Sequence, residues 1–205
     1  MTTKSITFTL LTSLSMMTAG CGVAQQGASP VVVRITKLEA ASGARPDTFG
    51  GTLNSDVITI VKRDNVNVST IFDDFARVEM ALALKDAGAP GVTNAPSPTN
   101  TVTFTHFRVV YRRTDGHNIE GVDVPYGFDS GVTFSVPVDG TVTASFELVR
   151  HAAKEDAPLK ALQFSGQIIY TIADVTFYGR DQTNHGIAVT GSIGVAFGNF
   201  GDPTA

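Results

Sequence analysis

The residues able to do chemistry are few and scattered. The four histidines, His106, His117, His151 and His185, stand singly, with no two separated by the three to five residues that a zinc-binding pair requires. The only cysteine, Cys21, can form neither an internal disulfide nor, by itself, a thiolate metal site. No Gly-x-Ser-x-Gly, His-Glu-x-x-His or Walker loop is present. Asp73, Asp74, Asp86, Asp115, Asp123, Asp129, Asp174 and Asp181 fall mostly at the ends of expected strands, where converging loops can offer calcium its oxygen ligands. Asp is also a good turn residue, and no repeated Asp pattern marks a calcium loop. Two loops are candidates to form one ligand site together: Gly127 to Gly131, beside Tyr126 and including Asp129, and Arg180 to Gly186, which holds Arg180, Asp181 and His185. Sugar binding usually relies on exposed rings, yet the chain has no Trp and only Tyr126 in an obvious loop. The expectation is a non-enzymatic protein with no catalytic residue, no metal and no cofactor.

The elements that would position these residues are strands. Apolar residues recur with period two in segment after segment, the mark of half-buried β-strands. Ile187, Val189, Ile193, Val195 and Phe197 share one face, with Ala188, Thr190, Ser192, Gly194 and Ala196 on the other. Ile168 to Tyr178 is the expected hairpin partner, joined through the polar stretch 179–186. Val142, Ala144, Phe146 and Leu148 alternate with polar residues, as do Val132, Phe134, Val136 and Val138 before a tight-turn signal at Asp139-Gly140. Phe107, Val109 and Tyr111 form one further set, and Val78, Met80, Leu82 and Leu84 another; the first strands are read as Val31 to Glu39 and Asp56 to Lys62. Two irregular connections, Ala40 to Asn54 and Ala87 to Asn100, are rich in Gly and Pro, and Arg150 to Leu162 has room for one helical turn. Some eight antiparallel strands with one apolar face each must bury those faces together, which predicts an all-β, two-sheet β-sandwich of immunoglobulin-like type, with a barrel or jelly roll as alternatives.

With 205 residues, 42% of them apolar and 17% charged, the chain is large enough to bury a core and unlike a disordered or coiled-coil sequence. A net charge of −4 argues against nucleic-acid binding, which needs a basic face. Arg108, Arg112 and Arg113, with Lys62-Arg63, are read as a solvated face guarding a strand edge. The small outward residues Thr190, Ser192, Gly194 and Ala196 predict a flat face, covered by a subunit or by the protein's own loops.

The first twenty residues combine a short n-region with Lys4, an apolar stretch from Ile6 to Met17 and the small residues Thr18-Ala19-Gly20 before Cys21. That is an export-signal pattern, too short for a membrane span of about 20 apolar residues. Thr18-Ala19-Gly20-Cys21 resembles the lipobox of bacterial lipoproteins, with Thr18 where that family usually carries an aliphatic residue. The resemblance implies that Cys21 is acylated and becomes the N-terminus, anchoring the protein to a membrane. Gly22, in place of an inner-membrane retention Asp, implies the outer membrane in a diderm host. Cleavage after Ala24, releasing a free protein, is the alternative. The expected organisation is a signal peptide (1–20), an acylated cysteine and tether (21–30) and one β-sandwich domain (31–205). The expected role is an envelope binding or structural module, possessing a membrane anchor and an envelope protein partner; a secreted sugar- or calcium-binding domain is the alternative.

Overall fold

The structure is a computed structural model and describes residues 29–86 and 88–201. The signal segment and Cys21 lie outside the described residues. The strands are β1 (Val31–Ala41), β2 (Thr52–Asp56), β3 (Thr59–Arg63), β4 (Val66–Thr70), β5 (Asp74–Leu84), β6 (Gly88–Ala89), β7 (Val92–Thr93), β8 (Val102–Arg112), β9 (Phe128–Val136), β10 (Thr141–Val149), β11 (Ile169–Asp181) and β12 (Gly186–Gly198). A single helical turn, α1 (His151–Glu155), and a 3-10 turn, Leu159–Leu162, separate β10 from β11.

Two sheets pack face to face, one of three strands in the order β1-β5-β10 and one of five in the order β2-β12-β11-β8-β9. Their inward side chains are those the alternation marks: Val78 and Met80 from β5, Phe107, Val109 and Tyr111 from β8, Val175 and Phe177 from β11, Ile193, Val195 and Phe197 from β12, all buried. Phenylalanines make the centre. Phe146 of the three-stranded sheet meets Phe107 and Phe177 of the other at 5.0 and 5.1 Å between ring centroids, both edge-on, the arrangement that ring quadrupoles favour. A bulge at Thr105, in the pairing with β11, lets β8 keep Val102 and Phe104 inward on one side of it and Phe107 and Val109 on the other. The all-β sandwich expectation is met in this coarse form.

Four expectations are corrected. The pairing is not wholly antiparallel, because β2 runs parallel to β12, with Thr52 opposite Gly194 and Asp56 opposite Gly198. The stretch Asp56 to Lys62 is not one strand: it breaks at Val57-Ile58, and β3 pairs instead with β4 in a separate hairpin turned by Asp64 and Asn65, both at positive φ. Asp139-Gly140 does not close a hairpin within one sheet; Gly140, at φ +87°, carries the chain from β9 in one sheet to β10 in the other. Alternation gives each strand one apolar face but leaves open whether two such faces lie side by side or opposite each other. Finally, Phe128 to Gly131 is not a loop but the start of β9, paired with β8 from His106 to Val109.

The sandwich has two distinct ends. At one, Val31 opens β1 opposite Leu84 and the Ser29 hydroxyl bonds Asp181 in the β11–β12 turn, so the described chain enters here. At the other lie the end of β8, the starts of β5 and β11, α1 and the loop 42–51. The eleven residues of β1 span about 33 Å between them at the usual strand rise.

Candidate functional site

At the end opposite the chain's entry, a carboxyl and an amine are buried together. Asp74 sits on the inward face of β5, two residues before buried Ala76 and four before buried Val78. Lys154 reaches it from α1, its Nζ 2.9 Å from Asp74 Oδ2, with the two side chains 1% and 0% exposed respectively. The Ser55 hydroxyl donates to Oδ2 at 2.6 Å, the Gly43 N–H donates to Oδ1 at 2.8 Å, and Lys154 Nζ also donates to the Phe72 carbonyl at 2.7 Å. Burial pushes the Asp74 carboxyl up from its ordinary range, and the Lys154 charge, the Ser55 hydroxyl and the Gly43 N–H pull against that rise. Burial likewise pushes the nearby Tyr111 phenol far up, and its hydroxyl donates to the Leu148 carbonyl at 2.6 Å. Gly43 is required by close approach: a Cβ there would stand 2.2 Å from the Asp73 carbonyl oxygen.

This pair braces a cleft of about 430 Å³ between the loop 42–51 and the C-terminal segment. Ser42, Arg45, Thr48 and Phe49 form one wall, Leu53 and Asp56 the floor, and Phe200 and Gly201 the other wall. Arg45 Nη2 donates to the Gly201 carbonyl at 3.2 Å across the rim, and the Arg77 guanidinium lies 4.3 Å over the Phe49 ring. Asp56 accepts from the Phe200 N–H at 3.2 Å and from the Thr59 hydroxyl at 3.1 Å. A hydrogen-bonded path joins the two walls through the interior: Asn199 Nδ2 to the Gln163 carbonyl, Gln163 Nε2 to the Lys154 carbonyl, Lys154 Nζ to Asp74, and Asp74 to the Gly43 N–H. The volume falls within the range of small-molecule sites.

Beside the buried pair, Asp73 accepts from the His151 backbone N–H at 2.6 Å and lies 2.8 Å from its Nδ1. The hydrogen bond to Asp73, and then its charge, raise the His151 pKa. Arg150 stacks 3.9 Å over Phe128 next to a shallow hollow that includes Tyr126.

The two loops expected to form one site lie at opposite ends of the five-stranded sheet. Tyr126 is exposed at the cleft end, and Asp129 is exposed on β9 opposite Arg108. Arg180, Asp181 and His185 stand at the entry end, where Asp181 pairs with Val102. There the carboxylate is spent on its own turn, accepting from the N–H groups of Thr183 and His185 at 2.9 Å each and from the Thr183 hydroxyl at 2.7 Å. Arg180 donates to Asn184 at 2.7 Å. Burial pushes the Asp181 carboxyl up, but the Thr183 hydroxyl, the His185 N–H, the Ser29 hydroxyl and the Thr183 N–H outweigh it and hold the carboxyl well below the usual range. A depressed folded-state pKa contributes stability that is present above the unfolded carboxylate value and lost as pH falls through the folded value. Asp181→Ala is therefore expected to cost about 1–3 kcal/mol at neutral pH. Chemical denaturation below pH 4 should show the gap from wild type closing; an equal gap at every pH would contradict this role.

Within the basic run, Arg108 guards no edge, since there β8 lies between β11 and β9; Arg112 Nε is bonded to Asp174 at 2.6 Å, and Lys62 and Arg63 lie apart on β3 of the two-stranded sheet. The flat face is open at Thr190 and Ser192, both exposed, but closed toward the cleft end, where Gly194 is half-buried and Ala196 buried; His106 stacks on Tyr178 at 4.7 Å. Among the described residues, no three His, Cys, Asp or Glu side chains converge in a way that would hold a metal ion. Nor does any described helix have the length and apolarity to cross a membrane.

Exposed apolar side chains are distributed unevenly. Of the large ones among the described residues, Val32 belongs to the entry end. Phe75, Ile119, Val122, Tyr126, Phe164, Ile168 and Tyr170 lie at the cleft end, with Phe164 90% and Tyr170 70% exposed, while Ile60, Val66 and Val68 belong to the separate β3–β4 hairpin. Compared with family models, with curated proteins and with solved structures, the chain finds no match.

Proposed function

We propose that the protein is an exported lipoprotein of the bacterial envelope, anchored through an acylated Cys21, whose immunoglobulin-like sandwich acts without catalysis as a binding module that presents its cleft end to a protein partner. The reading is carried by the crowding of exposed apolar side chains, Phe164, Ile168, Tyr170 and Tyr126 among them, at the end a full strand length from the chain's entry. Large exposed apolar patches on soluble domains mark interaction surfaces. Cys21 precedes Ser29, at the entry end, by eight residues (29 − 21), so an anchor there directs the apolar end away from the lipid. One acyl chain binds a membrane weakly, and two or more hold stably.

The test is intact mass and detergent partitioning of protein made in its own host, beside Cys21→Ser. Wild type should begin at Cys21, carry acyl mass and enter the detergent phase, while the variant stays aqueous. Two aqueous proteins beginning at Gln25 would overturn the anchor and favour a free secreted domain.

A further inference from the structure

Neither the cleft nor the anchor uses the reactivity of the Lys154 amine and the Asp74 carboxyl, which meet out of contact with water. We infer that Asp74 and Lys154 become joined by an intramolecular amide bond between Asp74 Cγ and Lys154 Nζ. The inference stands on geometry and does not depend on the anchor.

A nucleophile lies against an electrophile, with Nζ 2.9 Å from Oδ2. Each neighbouring group is placed to assist. The Phe72 carbonyl, 2.7 Å from Nζ, fixes the orientation of the amine. The Gly43 N–H, 2.8 Å from Oδ1, points at the oxygen on which negative charge would develop. The Ser55 hydroxyl, 2.6 Å from Oδ2, touches the oxygen that must leave. Burial of both side chains disfavours the charged pair relative to a neutral amine and carboxylic acid, and a held contact replaces an encounter between free reactants.

The step balances without any co-reactant. One ammonium proton passes from Nζ to Oδ2, leaving an amine and a carboxylic acid. The Nζ lone pair attacks Cγ, and the carbonyl π pair moves onto Oδ1 against the Gly43 N–H. A second Nζ proton passes directly to the adjacent Oδ2 hydroxyl, which the Ser55 hydroxyl holds in place, the Cγ–Oδ2 bond breaks, and one water leaves as the double bond to Oδ1 reforms. The third proton stays on the amide nitrogen and bonds the Phe72 carbonyl. The product ties β5 to α1, in a chain whose single cysteine can supply no internal disulfide.

The test is the denatured intact mass and tryptic map of the purified full chain. The protein should be lighter by one water than its observed N-terminus and acylation require. The map should show a branched peptide joining the segments that hold Asp74 and Lys154, with cleavage after Lys154 lost; Lys154→Arg should restore the full mass. Full wild-type mass with two separate peptides would overturn the inference. So would a lost water that maps elsewhere, such as to a succinimide at Asp139-Gly140, or one that persists in Lys154→Arg.

Discussion

Replacing Lys154 by Ala is expected to destabilise the protein by about 3–5 kcal/mol relative to wild type in which Asp74 and Lys154 are still an unjoined ion pair, the usual cost of breaking a buried pair and leaving its partner uncompensated. In the variant, Asp74 keeps the Ser55 hydroxyl and the Gly43 N–H but loses the ammonium beside it. Its carboxyl, already raised by burial, rises further. The sign follows from proton binding: a folded-state pKa above the unfolded one contributes stability that is present below the unfolded value and lost as pH rises through the folded value. The variant should therefore be most stable in mild acid and weaken toward neutrality, opposite to ordinary acid unfolding. Asp74→Asn combined with Lys154→Met removes both charges and should recover most of the loss. Urea denaturation at pH 5 and pH 7 measures all three proteins. A Lys154→Ala protein as stable as wild type, with the same pH dependence, would show that the pair does not brace this end. Because the hydrogen-bonded path through Lys154 joins both cleft walls, the same variant should expose the loop 42–51 to faster amide exchange.

Phe177→Ala should cost a similar amount, about 3–5 kcal/mol, the range for truncating a buried aromatic. Phe177 is fully buried and meets Phe104, Phe107, Phe134 and Phe146 with centroids 5.1–6.3 Å away. Phe146 comes from the facing sheet, so the loss falls on the contact between layers rather than on one hairpin. Phe177→Leu, which leaves a smaller void, should cost clearly less. Equal and small effects from the two substitutions would mean that the core closes around the void.

What the sequence made legible follows from the range of each signal. Alternation is local, and it placed Phe177, Val195, Met80 and Val109 correctly on the inner faces. It also held a clue that the strand-end reading of Asp73-Asp74 passed over: the face of Val78 and Met80 continues back through Ala76 to Asp74, which puts a carboxyl inside the sandwich. Such a residue demands a buried partner. The partner itself was not legible, because Lys154 stands in a short helical segment with nothing local to mark it as inward, far along the chain from Asp74. Register and sheet order are non-local in the same way. They decide that Tyr126 and Asp181 are at opposite ends, that β2 runs parallel to β12, and that β9 and β10 belong to different sheets.

The proposed anchor at Cys21 sets an orientation in which the entry end would face lipid and the cleft end would face away. With Cys21 acylated, an introduced cysteine is the only free thiol, so one fluorophore can be placed at Gln182, in the β11–β12 turn, or at Thr48, on the cleft rim. The membrane-bound Gln182→Cys and Thr48→Cys proteins would be labelled and titrated with a lipid carrying a headgroup quencher. Strong quenching at position 182 with little at 48 is the predicted result; equal quenching at both, or the reverse order, would contradict the account.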